Sequence, residues 1–269
     1  MQLAVLTSTD TRHRYFANAL RRAFSVVAVG YQETGYHPAT PNEIKLDERT
    51  AELLKHHFDE RARQETIYFG ADAERLVDGP DRSIRSLTPA TLNAESTVDW
   101  LRAQGVDAVA VFGTSLLKTP IIEAFAGRII NMHLGLSPYY RGTATNFYPL
   151  LNGEPEYVGA TIHLIDAGID TGPIVHHARP DITADDMPHT VGCKAIGAGI
   201  AKMIQALNEL QANRLATTAQ WDVPDAKLYL RRDYHPGQVV ELYDRIESGL
   251  FRDYPARKHR VENAMRLID

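Results

Sequence analysis

Residues 106–133 read VDAVAVFGTSLLKTPIIEAFAGRIINMH, and the organisation of the chain follows from this segment. The run 106–112 is almost wholly apolar, as expected for a central strand buried on both faces of a sheet. Gly113 ends it, and a helix is expected around residues 120–125. A second strand over 128–131 then delivers Asn131-Met132-His133 to its carboxyl end. In open α/β sheets that edge is where ligands bind.

The same alternation extends towards the amino terminus. Residues 3–7 read as a strand, 12–23 as a helix and 25–31 as a second strand, the signature of a mostly parallel sheet flanked by helices. Residues 32–47 hold Gly35, Pro38, Pro41 and Asn42 without periodicity and read as a long loop, a kind of segment that is often functional. Residues 48–64 look like a charged surface helix. Towards the carboxyl terminus, 158–166 and 174–178 form an expected antiparallel pair around the turn-rich stretch 167–173. Thr183-Ala184-Asp185-Asp186 suits a helix start, and Ile196, Ile200, Met203, Ile204, Leu207 and Leu210 recur at helical spacing. Beyond residue 215 a short strand at 228–230, a basic turn at Arg231 and Arg232 and a helix over 236–250 suggest a small extension, too short for a second core. The expected division is therefore a catalytic α/β domain over 1–215 and an extension over 216–269.

Composition narrows the function classes. The chain of 269 residues is 44% hydrophobic with a net charge of −5, and no dense Lys/Arg face stands out to contact phosphates, which argues against a nucleic-acid partner. Cys193 is the single cysteine and has no disulfide partner within the chain. The apolar run 1–6 lacks a basic segment before it and fits a core strand better than a signal peptide. No apolar stretch approaches the roughly 18 residues of a membrane helix. A cytoplasmic enzyme away from membranes is expected. His56-His57 and His176-His177 are adjacent pairs whose side chains splay apart, so no metal centre is expected. Gly197-Ala198-Gly199 lies inside a helical pattern rather than after a strand, and no phosphate-binding G-x-x-x-x-G-K-[ST] loop occurs.

Polar residues gather in three segments: Asn131-x-His133, His163, and the Gly-rich turn from Asp166 to Gly172 that holds Asp170. Asn131 and His133 are two apart on a strand and point to one side. The stretch from Asn131 to Gly142, N-M-H-L-G-L-S-P-Y-Y-R-G, resembles the N-x-H-x-x-L-x-P-x-x-R-G signature of folate-dependent formyltransferases, which act on glycinamide ribonucleotide, methionyl-tRNA or nucleotide sugars. Gly159-x-Thr161-x-His163 followed by Asp170-Thr171-Gly172 resembles that family's second block at consistent spacing. The likeness is specific over about residues 105–215 and only general before that.

The resemblance implies a Rossmann-like formyltransferase fold and a formyl transfer from 10-formyltetrahydrofolate to an amine, without a metal. It assigns Asn131 and His133 as donors to an oxygen that becomes negative, and Asp170 as the carboxylate that raises the imidazole's proton affinity and orients a proton-carrying water. It places Phe112, Gly113, Thr114, Leu116 and Leu117, with His163, Asp166 and Gly168, around the pterin. His163 reads equally as a half-buried strand histidine, and Asp166 as a cap of its turn. Asp10, Arg12, His13, Tyr139 and Arg141 are the candidates for acceptor contacts. Arg12 and His13 stand where a phosphate meets a helix N-terminus, or form a solvated basic first turn; Arg141 also reads as a loop-shaping residue. The turn at 7–11 lacks the Gly-rich loop of glycinamide ribonucleotide enzymes, and the extension is shorter than the β-barrel of tRNA-type members. The expected acceptor is thus an amino sugar carried on a nucleotide, with Tyr229, Arg231, Arg232 and Tyr234 available to the nucleotide. Release of formate by hydrolysis and a non-catalytic folate- or sugar-nucleotide-binding module are the alternatives, and a homodimer stays open.

Overall fold

Alternate side chains of the first strand enter two different cores. Leu3 and Val5 of β1 (Leu3–Ser8) join one apolar cluster and Ala4 and Leu6 another, so both faces of the sheet are covered. The structure is a computed structural model, described here for residues 1–33, 46–74 and 83–269. After β1 come α1 (Thr11–Ala23), β2 (Val26–Gln32), α2 (Glu48–Ala73), β3 (Ser83–Leu87), α3 (Pro89–Leu92), α4 (Glu95–Ala103), β4 (Ala108–Phe112), α5 (Thr119–Ala124) and β5 (Ile129–Leu134). The chain continues through β6 (Tyr140–Gly142), α6 (Tyr148–Leu151), β7 (Ala160–Leu164), β8 (Ile174–Ala178), α7 (Pro188–Gln211), β9 (Lys227–Tyr229), α8 (Gly237–Glu247) and α9 (Tyr254–Asn263).

Seven strands form one sheet in the order β3-β2-β1-β4-β5-β7-β8. The first five pair in parallel, and β7 and β8 continue antiparallel, as the sequence suggests for this pair. Phe16 and Leu20 of α1, with Ile200, Met203 and Leu207 of α7, cover one face. Trp100 and Leu101 of α4 and Ile121 of α5 cover the other. Helix α7 comes so close at Gly199 that a Cβ there would lie 2.8 Å from both Met132 Sδ and the Ala160 methyl. Among the described residues no helix is long and apolar enough to cross a membrane.

Several boundaries differ from the sequence reading. The strand expected over 128–131 runs on to Leu134 because β7 pairs with it that far. The helix expected over 48–64 continues to Ala73 and buries Leu54, His57 and Phe69, so it is not merely a surface element. Asp186 accepts from the Thr183 amide at 2.8 Å and caps a turn, and the helix starts only at Pro188. Most of the loop expected over 32–47 lies outside the described residues.

The segment from 216 onward builds a core jointly with residues that precede it in the chain. Leu242, Phe251 and Tyr254 pack with Tyr140, Tyr148, Leu150 and Val158. Strand β9 pairs in parallel with β6 as a two-stranded ribbon, and Tyr229 stacks on Tyr148 with centroids 3.6 Å apart. Ile268 accepts from the His177 amide at 2.6 Å and donates to His177 Nδ1 at 2.9 Å, which covers the outer edge of β8.

Two consequences are testable. Gly142 has φ +94° and a Cβ there would meet the Tyr229 carbonyl oxygen at 2.0 Å. Gly142→Ala is therefore expected to cost about 2 kcal/mol or more in denaturant unfolding, whereas Gly127→Ala, with open space around it, costs only its backbone strain. Burial lowers His57 to about 3, and His177 and His189 to about 4. Their folded values lie below the unfolded value of about 6.5, so their contribution is complete above pH 6.5 and is lost as pH falls towards 4. Thermal melts are expected to be flat from pH 8 to 7 and to drop through pH 6 to 4, each group adding up to about 1.4 kcal/mol per pH unit. A melting temperature unchanged at pH 5 contradicts this.

Candidate active site

Asn131 and His133 project from the face of β5 on which Ile129 packs, two and four residues further along. The register with β7 sets Asn131 opposite His163 and His133 opposite Thr161, and directly paired side chains are close neighbours. Thr161 donates its hydroxyl to the Gly135 carbonyl at 2.6 Å and accepts from the Ser137 amide at 2.9 Å, anchoring the loop that leaves β5. His163 Nδ1 lies 2.9 Å from the Leu164 carbonyl, a contact that needs the proton on Nδ1. In the neutral ring Nε2 then accepts from Asn131 Nδ2 at 3.0 Å, which fixes the orientation of the amide and leaves its second N–H for a ligand.

Asp170 sits in the turn between β7 and β8 at φ +51°, a left-handed conformation that folds its carboxylate back onto these residues. Its Oδ2 accepts from the Gly142 amide at 3.0 Å and lies 3.4 Å from His133 Nδ1, while Oδ1 is 3.7 Å from His163 Nε2. Gln220, from the segment beyond α7, donates to the Asp170 and Gly172 carbonyls at 2.7 and 3.0 Å and pins the turn. Ala144 and Asp170, two of the three non-glycine residues at positive φ among the described residues, flank this centre, where stored backbone strain is commonly found.

The electrostatics follow from burial. Desolvation works against an ionised Asp170, but His133, His163 and the Gly142 amide outweigh it, and the carboxyl is held well below its usual range. Desolvation is also the largest influence on His133 and lowers its pKa, overriding the attraction of Asp170. The expectation that Asp170 raises the proton affinity of this imidazole holds for the pair but loses to burial, so at neutral pH the site holds a carboxylate beside a neutral ring. His133 Nε2 stands 3.3 Å from the Tyr140 carbonyl and 3.3 Å from Thr145 Oγ1. Each neutral tautomer leaves one ring nitrogen facing an oxygen acceptor, Tyr140 O or Asp170, whereas the imidazolium donates to both. The ring is thereby set to take a proton once negative charge develops in front of it.

A cleft of about 90 Å³ opens beside these groups. One wall is Thr114, Ser115, Leu116 and Leu117 after β4; the other is His163, Ile165, Asp166, Gly168 and Asp170, with Val111 and Asn131 as floor. Thr114, Leu116, Leu117, His163, Asp166 and Gly168 thus stand together as the sequence places them. Asp166 also accepts from the Gly168 amide and the Thr171 hydroxyl, so it caps its turn as well as lining the cleft. Phe112 and Gly113 do not line it. Phe112 packs in the core against Phe16 and His13, and Gly113 turns the chain at φ +73°.

The expected phosphate contact at the start of α1 is not formed by free side chains. Arg12 is buried and bridges Asp10 at 2.6 Å and Glu65 of α2 at 2.7 Å. His13 is 3% exposed, and burial, then Arg12 and Arg61, hold it well below its usual pKa. Tyr139 faces the other end of the chain, its hydroxyl bonded to the Arg266 backbone. Arg141 lies half-buried next to the Gly142 amide that serves Asp170. Tyr229 is committed to packing, its hydroxyl accepting from Asn152. Thr145 and Gln220 are site residues that no motif in the sequence marks, whereas Gly142 closes the first signature. Among the described residues no cluster of three metal-ligating side chains occurs.

Residues 55–207 match the family described as formyl transferase. Methionyl-tRNA formyltransferase of Burkholderia thailandensis is 35% identical over 143 residues, which are 52% of this chain and 43% of that protein. The matched part thus spans less than half the length of that relative. Among solved structures, phosphoribosylglycinamide formyltransferase from Anaplasma phagocytophilum has a TM-score of 0.57 at 17% identity, covering 85% of this chain and 97% of its own. The N-formyltransferase from Helicobacter canadensis in complex with folinic acid and dTDP-3-aminofucose has a TM-score of 0.55 at 17% identity, covering 94% and 82%. These likenesses at low identity concern the fold; the family match extends over more than half of the sequence and includes both blocks around Asn131 and Asp170, and the chain is a member of the formyl transferase family.

Proposed function

We propose that this chain transfers a formyl group from 10-formyltetrahydrofolate to a primary amine, with Asn131, His133 and Asp170 as the reacting constellation. The observation that carries the reading is the meeting of the Asn131 amide, the ionised Asp170 carboxylate and the buried His133 imidazole beside a cleft that Asn131 and Asp170 line together with Val111, Leu116, Leu117 and Ile165. Leu116, Leu117, Val111 and Ile165 suit the faces of a flat heteroaromatic ring, and Asp166 and the backbone of the 165–170 turn offer polar partners at its edge. The cleft is narrower than the roughly 300 Å³ of a typical ligand pocket, so Leu116, 58% exposed on its lip, moves aside for the ring.

The folate supplies a formyl group on nitrogen. The chain's residues supply the electrostatics. As the amine's nitrogen bonds to the formyl carbon, the carbonyl oxygen gains negative charge and the nitrogen becomes cationic. Asn131 Nδ2–H donates to that oxygen, a contribution worth about 2.7–4 kcal/mol for a comparable donor. The ammonium proton passes by way of Asp170 or a water to His133, which donates towards the oxygen as it becomes cationic. The carbon–nitrogen bond to the folate then breaks and its nitrogen recovers a proton.

The acceptor proposed is an amino sugar carried on a nucleotide. The chain's net charge of −5 and the absence of a dense basic face support a small acceptor over a tRNA. The 35% identity to a methionyl-tRNA formyltransferase favours the second reading, formylation of an aminoacyl-tRNA. A panel of nucleotide-linked amino sugars and charged initiator tRNA, assayed with 10-formyltetrahydrofolate, decides between them. Formate released equally fast without any amine identifies a hydrolase instead.

Asn131→Ala and His133→Ala are each expected to lower kcat by about 10²–10³ while folate binding by fluorescence quenching is retained. Unchanged turnover in either variant removes that side chain from the reaction. For the free enzyme, kcat/KM is expected to hold from pH 8 to 7, because burial lowers His133 from its ordinary value of about 6.5 and its neighbours hold Asp170 well below the carboxylate range. A fall in kcat/KM between pH 8 and 7 contradicts the neutral ring.

A further inference from the structure

Arg141 stands at the site without a counter-ion. Its Nε is buried yet has no hydrogen-bond partner, and among the described residues it forms no ion pair. Lys227, on the opposing strand of the ribbon, is engaged with Glu154. A partly desolvated guanidinium without an anion is costly, and its charge is close enough to His133 to disfavour protonation of that ring.

The ribbon fixes what lies beside it. Tyr140 pairs with Lys227, Arg141 with Leu228 and Gly142 with Tyr229. Lys227 lies over the Tyr140 ring at 5.0 Å on one face, so Arg141 and Leu228 project from the other. Leu228 is 47% exposed, and its Cδ1 sits 3.2 Å from where a Gly142 Cβ would be. Gly142 in turn donates its amide to Asp170. An unpaired planar cation and an exposed aliphatic side chain therefore flank the backbone that holds the reacting carboxylate.

We propose that Arg141 and Leu228 form an acceptor-anchoring subsite in which the guanidinium takes a phosphate or diphosphate of the substrate and Leu228 covers the adjoining ring. The proposal rests on the transferase reading and specifies its acceptor: the anion lies within about one sugar ring of the amine. The fork of a guanidinium matches phosphate oxygens two at a time. From beyond position 215 the subsite takes Leu228, which pairs with Arg141 across the ribbon.

The subsite is read without turnover by calorimetric titration of the full chain, saturated with 5-formyltetrahydrofolate, with pyrophosphate and separately with acetate. Pyrophosphate is expected to bind, tenfold or more weakly in Arg141→Met and to an intermediate degree in Arg141→Lys, with melting temperature and folate affinity unchanged. Binding that is absent, or equal in Arg141→Met, overturns the subsite, and acetate binding as tightly as pyrophosphate overturns its assignment to phosphate. In a kinetic arm, an amino sugar 1-phosphate is expected to show a KM at least tenfold below that of the free amino sugar, a preference lost in Arg141→Met. If no amine is formylated while pyrophosphate still binds through Arg141, the transferase reading fails and the anion site stands.

Discussion

A carboxylate that stays ionised while 15% exposed needs partners on every side, and most of the distinctive architecture of this chain supplies them to Asp170. The turn after β7 carries it, the strands β5 and β7 present two imidazoles to it, and the ribbon gives it the Gly142 amide. Gln220 secures the carbonyls around it from a distance of some fifty residues in sequence. Each contact comes from a different element, so the position of one oxygen pair depends on the mutual placement of the sheet, the turn and the segment beyond α7.

The same convergence buries the two imidazoles. His133 and His163 are 7% and 3% exposed, and the same burial that keeps His133 neutral also strengthens every interaction made with a developing charge. A site with a pre-charged imidazole would bind anions at rest. In the proposed reaction positive charge is withheld until its counterpart develops, a form of preorganisation in which the donors stay in place and only a proton moves.

The sheet was legible because buried strands are continuous apolar runs. Residues 3–7 and 106–112 cannot be read otherwise, and the antiparallel pair at 158–166 and 174–178 is bounded by glycine and proline. Other elements gave weak signals. Strand β3 lies at the sheet's edge with its central residues exposed, so SIRSL shows little apolar pattern. The β6–β9 ribbon is three residues per strand and joins positions 87 apart, as Tyr140 and Lys227 show, beyond any local periodicity. Arg12-His13-Arg14 looks like a solvated basic turn until Glu65, on a helix 53 residues later, is seen to neutralise it. The candidate cleft was legible as a set of segments, since its motifs are contiguous; Thr145 and Gln220, single polar side chains in unpatterned loops, were not.

The ribbon also bears on how such an enzyme diversifies. Its two strands come from either side of α7, and one carries Arg141 while the other carries Leu228. Exchanging the tail of a relative onto this chain would therefore import only half of a recognition surface, and would pull on the amide that secures Asp170. New acceptor preference is more accessible through paired changes at 139–146 and 220–236, made together as one unit that is split in the gene and joined in the fold.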